Sequence, residues 1–586
     1  MRYVDELTSA VKQQLALVYR TKDLVGWGLR QRLHEGYKLG DFRADARASL
    51  AIFLVALPLA LALGVAVDLP PQYGLYSAII AGIVTPLLGG SRFVVTGPTA
   101  GLVVVLLPIV HKFGFVGLLL TGFLAGMILV LLAIARFGRM LQFIPHPVAT
   151  GLTTGLAISL AILQLRDSLG LRMQRPDGAV DGISAVARNL HTISYGDAAI
   201  AGFTLIAIVV LNKYVRRAPA ALLAVALAAL GAAMLHKWLP GFRAATIAQS
   251  FDFAFGNETI SGIPPLPPLP AWPWHRGGVH VAIDFALIRA LLPSAFAIAI
   301  LAAISGLTAA VVADGLGNTE HEPNAELLAL GVANMLCPVF GGLAATGTVA
   351  RTARNIRAGA RSPLAAAMHA GLLLAAVAVF APLLRHVPLA ALSAMLLVVA
   401  WNMAEGRHVL RLLRIAPPAD VMIMLTCLGL TVAFDITTAV SVSVVLAALL
   451  FMRHMAVLTS VTLETRVTPT LELPPGVRYY DVAGPLFFGA AKTAFENLRH
   501  SKQPGHTVII SMRAVPIMDA TGLVALESAI DRLHRDNQHV ILVGLRAEMV
   551  AMLEQAGMRR SPGRLTFAPD AETAASMAMA RATTAS

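Results

Sequence analysis

Two short segments of the chain share a pattern that is suited to binding an anion. The first reads GGSRFVVTGPT from Gly89 to Thr99, and the second reads GGLAATGTV from Gly341 to Val349. Each combines a glycine pair, a β-prone stretch and a Thr-Gly step that opens a helix. A helix N-terminus carries about half a positive charge and free N–H groups, so two such starts aimed at one point favour an anion. Arg351, one turn into the second helix, adds a full positive charge.

The same residues allow a plainer interpretation, in which Gly and Pro only interrupt loops and the arginines are ordinary cytoplasmic-loop charges. We favour that interpretation for Arg354, Arg357 and Arg361. For Arg351, which is nearest to the break, we favour the anion site. Irregular backbone at membrane depth must be buried in protein or line a cavity, and paired Gly/Pro-interrupted segments in two halves of a chain indicate a transporter binding site.

The elements that must position these segments are membrane-spanning helices. The 586 residues are 57% hydrophobic and only 13% charged, and the mean hydropathy is +0.71. Soluble globular proteins are about 25% charged, so the composition excludes a disordered chain and argues against a large soluble enzyme. The net charge of +13 fits the basic loops of a membrane protein better than nucleic-acid binding.

A helix that crosses the bilayer core needs about 20 residues. About twelve apolar stretches meet this requirement, and the two interrupted segments near 97–110 and 347–358 raise the count to about fourteen. These two are the third and the tenth, the same place in two halves of seven, so the halves insert in opposite orientations. The full spans are predicted at 46–67, 72–89, 114–135, 147–169, 197–214, 219–239, 285–311, 326–342, 363–384, 388–403, 419–434 and 436–452.

Basic loops set the predicted orientation. With an even number of spans and a cytoplasmic N-terminus, the basic loop residues all lie inside. The segment 240–284 lies outside, and its run PPLPPLPAWPW is a rigid spacer. Cys337 and Cys427 lie in apolar stretches and are expected to be core thiols. The inside residues are Arg136, Arg139, Lys213, Arg216, Arg217, Arg407, Arg411, Arg414 and Arg453.

The character of the chain changes after Arg453, where predicted strands alternate with predicted helices. This alternation indicates a small α/β domain. The predicted strands are 478–486, 507–513 and 540–545, and the predicted helices are 490–500, 521–535 and 547–556. We therefore expect a cytoplasmic N-terminal amphipathic region at 1–45, a transmembrane domain at 46–455 and a cytoplasmic domain at 465–586.

Several motifs resemble those of the sulfate permease (SulP) family of anion transporters. The C-terminal domain resembles a STAS domain, with Asp519-Ala520-Thr521-Gly522 at its strand-to-helix turn. Within the family the chain is most similar to bacterial C4-dicarboxylate transporters. The family motifs are Pro71-Gln72-Tyr73-Gly74-Leu75-Tyr76, Gly90-Ser91-Arg92, Thr96-Gly97-Pro98-Thr99-Ala100, Asn324-Ala325-Glu326-Leu327, Gly331, Asn334, Arg351 and Ala358-Gly359-Ala360. The similarity to dicarboxylate transporters lies in Pro145, Gly155, Gln164, Trp401-Asn402-Met403 and Gly484-Pro485-Leu486-Phe487-Phe488.

This resemblance implies an α-helical polytopic membrane protein followed by a small α/β STAS domain. The fourteen segments would form two inverted repeats of seven. Spans 1–4 and 8–11 would form a moving core, and spans 5–7 and 12–14 a gate. Substrate would sit between the third and tenth half-helices and move with the core in an elevator-type cycle. The resemblance also implies a homodimer in the bacterial inner membrane, with both termini cytoplasmic.

By position, the resemblance implies a substrate-binding set drawn from the first, third, eighth and tenth spans. Leu59 stands where many sulfate- and chloride-handling relatives carry Gln, so this apolar wall favours a dicarboxylate with a hydrocarbon middle. Ser305 stands where bacterial relatives carry an acid. A serine hydroxyl does not titrate in the working range, which argues against proton or sodium symport through this position. The set is Leu59, Leu63, Pro98, Thr99, Ala100, Ser305, Val349, Ala350 and Arg351.

The predicted function is a secondary active transporter of small anions, with C4-dicarboxylates such as succinate, fumarate and aspartate first. A bicarbonate or sulfate carrier or exchanger, an anion channel, and an anion sensor that signals through the STAS-like domain are the alternatives. The expected partners are the small anion, membrane lipid, a second copy of the chain and a cytoplasmic partner of the STAS-like domain, without nucleic acid. Ala520 stands where signalling relatives carry a phosphorylatable Ser, so a phosphoswitch there is not expected.

No enzyme activity, cofactor or metal is expected, since the sequence has no HExxH, GxSxG or Walker pattern. The acidic residues Asp314, Glu320, Glu322 and Glu326 indicate a cytoplasmic loop and helix start, with Asn324 as the N-cap. The histidines at 111, 146, 369 and 386 lack ligand spacing and are interpreted as interfacial.

Overall fold

The computed structural model of the chain divides into two compact units, Met1–Val444 and Val445–Ser586, which we call the membrane unit and the C-terminal unit. The predicted domain bounds at 45, 455 and 465 stay predictions. The apolar spots predicted at Leu7, Val11, Leu15 and Val18 lie outside the described residues. Those residues are 24–141, 145–215, 219–238, 242, 244–255, 258–278, 284–434, 436–458, 460–464, 466–468, 471–473, 476–487, 491, 495, 507–561 and 564–585.

The first half of the membrane unit is helical apart from one two-residue strand. Its elements are α1 (Trp27–His34), α2 (Leu39–Ala66), α3 (Gln72–Leu88), β1 (Thr96–Gly97), α4 (Ala100–Ile134), α5 (Gly138–Leu141), α6 (His146–Leu169), α7 (Ala179–Asn189), a 3₁₀ turn (Leu190–Thr192), α8 (Tyr195–Tyr214) and α9 (Ala220–Trp238). A connection follows, with α10 (Ile247–Ser250), the antiparallel pair β2 (Asp252–Phe255) and β3 (Glu258–Ser261), and a 3₁₀ turn (Pro273–Gly278).

The second half repeats the order of the first. A long helix, a shorter helix and a two-residue strand again precede a helix that starts from irregular backbone. Its elements are α11 (Phe285–Gly317), α12 (Pro323–Val339), β4 (Thr346–Gly347), α13 (Val349–Arg357), α14 (Leu364–Leu384), α15 (Leu389–Met403), α16 (Gly406–Ile415), α17 (Pro418–Ala433) and α18 (Ile436–Leu458). This order supports the predicted internal repeat.

Within the described ranges, nine helical stretches are long and apolar enough to cross a membrane, one of which, Leu389–Ile415, comprises α15 and α16 together; α3 and α17 are shorter apolar helices. The 35-residue helix α4 is broken at Gly114, whose φ of 70° and ψ of −174° are not helical. The break separates the predicted third and fourth spans. Helix α2 begins at Leu39, before the predicted start at 46, because the Lys38 N–H donates to Asp41 Oδ2 at 3.0 Å and starts the helix in a polar turn. The count of fourteen stays a prediction.

The membrane helices pack in two groups. Helices α2, α3, α4, α11, α12, α13 and α14 pack mainly on one another and form the core. Helices α6, α8, α9, α15 and α17 pack mainly on one another and form the gate. The first group contains the spans that the family resemblance assigns to the core, and the second contains those it assigns to the gate except the fourteenth, α18. Contacts of α2 with α9 and α15, and of α4 with α6, join the two groups.

An ionic cluster also joins the core to the gate. The side chain of Arg175, on the loop before α7, is 3% exposed; its Nη2 lies 2.5 Å from Asp167 Oδ2 and its Nε 3.4 Å from Asp68 Oδ1. His111 of α4 lies 2.5 Å from Asp177 and 3.5 Å from Asp68. The buried arginine is thus paired with carboxylates of both groups, so separation of core and gate here would leave its charge uncompensated.

The segment between the two halves lies against the membrane unit. The Tyr76 hydroxyl donates to the Leu266 carbonyl at 3.1 Å, and the Ala271 N–H donates to the Val339 carbonyl at 2.8 Å. Trp272 and Trp274 stack with ring centroids 5.1 Å apart. The Pro-rich run therefore packs along α3 and α12 and is not a free spacer.

The C-terminal unit is an α/β domain around a five-stranded sheet with the strand order β11-β10-β9-β8-β5. Neighbouring strands are parallel except β5, which is antiparallel to β8. Its elements are β5 (Ser460–Glu464), β6 (Arg466–Thr468), β7 (Leu471–Glu472), β8 (Val477–Ala483), β9 (Thr507–Ala514), α19 (Ala520–Arg535), β10 (His539–Val543), α20 (Ala547–Gln555), β11 (Leu565–Ala568) and α21 (Ala571–Ala585). The three predicted strands and the later two predicted helices are confirmed; the helix predicted at 490–500 lies largely outside the described residues.

The strand-to-helix turn of this domain has the geometry that the sequence predicted. Asp519 is the N-cap of α19, and its Oδ1 accepts a hydrogen bond from the Gly522 N–H at 2.7 Å. A Cβ placed on Gly522 lies 2.3 Å from the Leu486 carbonyl oxygen, so only glycine allows the helix start to approach the end of β8. Ala520, the first residue of α19, provides no hydroxyl.

His539 makes the stability of the C-terminal unit dependent on pH. It opens β10 and is 6% exposed, its Nε2 lies 2.9 Å from Thr566 Oγ1, and burial lowers its pKa to about 4. Between the ordinary value of 6.5 and about 4, the unfolded chain binds a proton that the folded domain does not, so the free energy of unfolding decreases as the pH falls. We expect hydrogen exchange of the β10 amides in the full chain, corrected for intrinsic rates, to become faster between about pH 7 and pH 5. A His539→Gln variant should lose this dependence; the same acceleration in both proteins would show that another group is responsible.

Candidate anion-binding site

The two interrupted segments meet inside the membrane unit. Strands β1 and β4 form an antiparallel pair in which Thr96 is opposite Gly347 and Gly97 is opposite Thr346. The Thr348 N–H extends the pairing and donates to the Val95 carbonyl at 3.1 Å. All four paired residues are buried. The irregular backbone of both repeats is therefore satisfied by the other repeat, as membrane depth requires.

Glycine is required at this pairing because other groups approach both strands closely. A Cβ placed on Gly97 lies 2.7 Å from Arg351 Nη1, and a Cβ on Gly347 lies 3.0 Å from the Cα of Gly306 in α11. The Thr346 hydroxyl donates to the Ala302 carbonyl of the same helix at 3.0 Å. Helix α11 thus packs directly against β4 of the pair.

Two helix starts flank the paired strands. Thr99 is the N-cap of α4 and Thr348 is the N-cap of α13, and neither side chain accepts a hydrogen bond from the first turn. The first-turn N–H groups of both helices are therefore left without a side-chain cap. Because β1 and β4 are antiparallel, the two helices lead away from the pair in opposite directions, and their positive ends lie near each other.

Arg351 connects the two helix starts. It is 3% exposed, its Nη2 donates to the Pro98 carbonyl at 2.8 Å, and its Nε donates to Thr348 Oγ1 at 2.7 Å. In the described part of the chain, no carboxylate lies within 4.0 Å of this guanidinium. A buried charge without a counter-ion is unfavourable. An anion at this position would supply the missing counter-charge.

Thr348 orients the guanidinium. Its hydroxyl accepts from Arg351 Nε at 2.7 Å and donates to the Val95 carbonyl at 3.0 Å. Thr348→Val keeps the shape and removes both hydrogen bonds, and a hydrogen bond to a charged group contributes about 1.5–3 kcal/mol. We expect the KM of transport to rise about tenfold or more. Thr348→Ser keeps the hydroxyl and should transport nearly as well as the unmodified protein; equal KM values for the Val and Ser variants would contradict this role.

The other predicted site residues differ in their burial. Pro98 and Ala100 are buried and Thr99 is half-buried, while Val349 and Ala350 are exposed at the start of α13. On α2, Leu59 is half-buried, whereas Leu63 is 1% exposed and belongs to the packed interior. Ser305 is half-buried on α11, beside the Gly306 that contacts Gly347. One side-chain hydrogen bond joins two members of the set, from Arg351 to the Pro98 carbonyl.

Two parts of the chain match known protein families. Residues 42–427 match the model of the sulfate permease family, and residues 468–574 match the STAS domain. The chain is 33% identical over 536 residues to the "Putative sulfate transporter YvdB" of Bacillus subtilis, with 91% of this chain and 97% of that protein covered. The chain belongs to the sulfate permease family.

Two further comparisons agree with the family assignment. The chain is 27% identical to the "Bicarbonate transporter BicA" of Picosynechococcus sp., over 88% of this chain and 91% of that protein. Its fold is similar to that of the murine Slc26a9 anion transporter, with a TM-score of 0.82 at 17% identity over 95% of this chain and 94% of that one. The predicted family, helical membrane fold and STAS domain are thereby confirmed, and the chain is an anion transporter of this family.

Sequence reasoning missed the carboxylates that fix the backbone around the site. Glu326 is 2% exposed, and its Oε2 accepts from the N–H groups of Gly90 and Ser91, each at 3.0 Å. Sequence analysis interpreted Glu326 only as an acid in the first turn of a helix.

The prediction of Asn324 as N-cap is wrong, because Pro323 occupies the first helical position and the N-cap is Glu322, which accepts from the Asn324 N–H at 2.9 Å. Pro323 is the residue from which the correct N-cap could have been predicted, because proline favours the first helical position.

Asp45 binds backbone N–H groups in the same way, in the segment that follows α13. It is fully buried and accepts from the N–H groups of Arg361 and Ser362 at 2.6 and 3.1 Å, and from the Tyr37 hydroxyl at 2.8 Å. Burial, followed by the hydrogen bond to Asp45, raises the pKa of Tyr37 to about 12, which keeps this hydroxyl a donor at neutral pH. Asp45 lies at the edge of the polar N-terminal region, where no local pattern indicates burial.

Three amide and hydroxyl side chains complete the frame. Asn334 holds Ala345 on both sides, accepting from its N–H at 2.9 Å and donating to its carbonyl at 2.8 Å. Asn355 donates to the Phe93 carbonyl at 2.9 Å, and Thr352 accepts from the Val95 N–H at 3.1 Å. Only Asn334 was singled out from the sequence, by its place in a family motif.

The histidine and arginine interpretations need two corrections. His369 is not interfacial: it is fully buried, and a Cβ placed on Gly82 lies 3.0 Å from its Cε1. Arg354 is not only a loop charge, because its Nε donates to the Ala51 carbonyl of α2 at 3.3 Å. Cys337 and Cys427 are free and buried, as predicted. No cluster of three metal-ligating side chains occurs among the described residues.

Proposed function

We propose that this member of the sulfate permease family is a secondary active carrier of C4-dicarboxylates such as succinate, fumarate and aspartate. One observation carries the proposal: a buried arginine without a carboxylate partner in the described chain lies at two uncapped helix starts. A guanidinium binds a carboxylate through parallel hydrogen bonds. Arg351 already uses Nε and Nη2 on protein oxygens, and Nη1 remains for the anion.

The surroundings of Arg351 support an anion with a hydrocarbon middle. Leu59, Val349 and Ala350 are apolar and incompletely buried, and Pro98 accepts a hydrogen bond from Arg351. Apolar walls give little to the oxygens of sulfate but tolerate methylene groups. A sulfate or bicarbonate carrier is the second candidate, because the relatives compared above are named as a putative sulfate transporter and a bicarbonate transporter.

The transport cycle is an elevator-type movement of the core past the gate. The β1–β4 pair fixes the site within the core, so the anion travels with it. We further propose a homodimer in the bacterial inner membrane with both termini in the cytoplasm, as the basic loops favour. Ser305 provides no titratable group on α11, so coupling to protons or sodium does not use this position.

Uptake into proteoliposomes tests the proposal. Labelled succinate, sulfate and bicarbonate are compared at equal concentration, with and without imposed pH and sodium gradients, and with each unlabelled anion as competitor. We expect saturable succinate uptake that internal succinate stimulates, which separates a carrier from a channel. Preference for sulfate or bicarbonate would support the second candidate. Non-saturable flux of all three would contradict a carrier.

The sensor alternative is tested by removing the C-terminal unit. A carrier that lacks residues 465–586 should retain part of its uptake, whereas a protein that only senses an anion would never show uptake in either form. Stimulation of succinate uptake by an inward proton gradient would show that a titratable group at another position couples transport.

A further inference from the structure

Helix α16 lies between two apolar helices but is not part of either. The chain leaves α15 at Glu405, whose φ of 43° and ψ of 42° are left-handed, and it enters α17 through Ala416 and Pro417. The ten residues from Gly406 to Ile415 therefore form a separate helix. By the predicted orientation it lies at the cytoplasmic ends of the two spans.

The residues of α16 divide into three faces. Arg407, Arg411 and Arg414 recur at intervals of four and three, so they share one face, and all are exposed. Leu410 and Leu413 lie beside that face and are 56% and 39% exposed. The third face contains His408, Val409 and Leu412, which are half-buried.

The third face attaches the helix to the gate. Leu412 lines a cavity together with His146 of α6 and Met424 of α17. The ring of His408 packs edge-on against that of His146, with centroids 5.3 Å apart. The other two faces are directed away from the protein.

Nothing in the described chain neutralises the basic face. None of the three arginines lies within 4.0 Å of a described carboxylate, although Glu405 and Asp420 are close in sequence. Exposed leucines are unfavourable in water, and the neighbouring row of arginines is unfavourable in hydrocarbon. This combination suits the boundary between them, where leucines reach acyl chains and arginines reach phosphates.

We propose that α16 lies in the headgroup layer of the membrane and binds anionic phospholipid through Arg407, Arg411 and Arg414. The guanidinium fork matches a phosphate better than an ammonium does. Anionic lipid concentrates on the cytoplasmic leaflet, where basic loops are predicted to lie. The bound lipid anchors the gate, while the core that carries Arg351 moves. The proposal is independent of which anion is transported.

Site-directed quenching tests this placement in the full chain. Leu410→Cys is labelled with bimane, since both native cysteines are buried, and the protein is reconstituted in phosphatidylethanolamine vesicles. Spin-labelled phosphatidylglycerol or spin-labelled phosphatidylcholine is added at equal mole fraction. We expect quenching by both lipids, with a preference for phosphatidylglycerol of about tenfold in apparent affinity.

Charge variants of the same helix identify the cause of the preference. Arg407→Gln, Arg411→Gln and Arg414→Gln together should abolish it, whereas lysine at the same three positions should keep most of it. If the triple Gln variant is poorly folded, Arg411→Gln alone should weaken the preference. Equal quenching by both lipids, or none by either, would overturn the proposal. Loss of the preference in about 10 mM glycerol phosphate would show that the face binds soluble phosphate, which overturns the lipid as ligand.

Discussion

Replacement of Arg351 by alanine is expected to abolish transport. Truncation of one partner of a buried charge pair costs about 2–5 kcal/mol, so kcat/KM for uptake should fall about a hundredfold or more. The physical reason is that Arg351 provides the full positive charge at the two helix starts, and its Nη1 is free of protein partners in the described chain. Uptake of labelled succinate into proteoliposomes, normalised to reconstituted protein, measures the effect.

Two further variants separate binding from folding. Arg351→Lys keeps the charge but loses the planar fork, so it should retain more uptake than alanine and less than the unmodified protein. Arg357→Ala removes the same charge from an exposed position on the same helix, α13, and should transport normally. Uptake by Arg351→Ala within about threefold of that by Arg357→Ala would show that the anion binds elsewhere.

A single methyl group on Gly97 is expected to cause a comparable loss. The Cβ of Gly97→Ala lies 2.7 Å from Arg351 Nη1, inside van der Waals contact, so the guanidinium must shift from its position beside Pro98. A displacement of about 1 Å at a binding site can cost about a hundredfold in rate. We expect kcat/KM for uptake to fall at least tenfold while the protein remains folded.

Gly101→Ala is the matched control for that substitution. Gly101 lies in the first turn of α4, and a Cβ there lies 3.4 Å from Leu156 Cδ1, an ordinary contact. This variant should be folded and active. Equal activity of the two alanine variants would show that Gly97 tolerates a side chain and that the position of Arg351 is not decisive.

The sequence predicted the meeting of the two segments because both repeats carry the same local signal. A glycine pair, a β-prone stretch and a Thr-Gly step at 89–97 and 341–347 are readable from residue types alone, and so are the apolar stretches of membrane helices. The STAS domain was readable for the same reason: β9 and β10 are buried on both faces and are nearly continuous apolar runs.

The parts that could not be predicted depend on contacts between distant residues. Glu326 reaches Gly90, and Asp45 reaches Ser362, across hundreds of positions, and nothing beside either acid in the sequence indicates that partner. His369 is buried by the approach of α3 at Gly82, which no local pattern reports. Strands β5 and β11 are five and four residues long and are recognised only by their neighbours in the sheet.

The antiparallel pair of Thr96–Gly97 with Thr346–Gly347 means that the proposed anion pocket is shared between the two halves of the polypeptide. Neither half alone contains a complete pocket, because Pro98 comes from one and Arg351 from the other. A polypeptide severed within 240–284 should regain transport only when both fragments are made together.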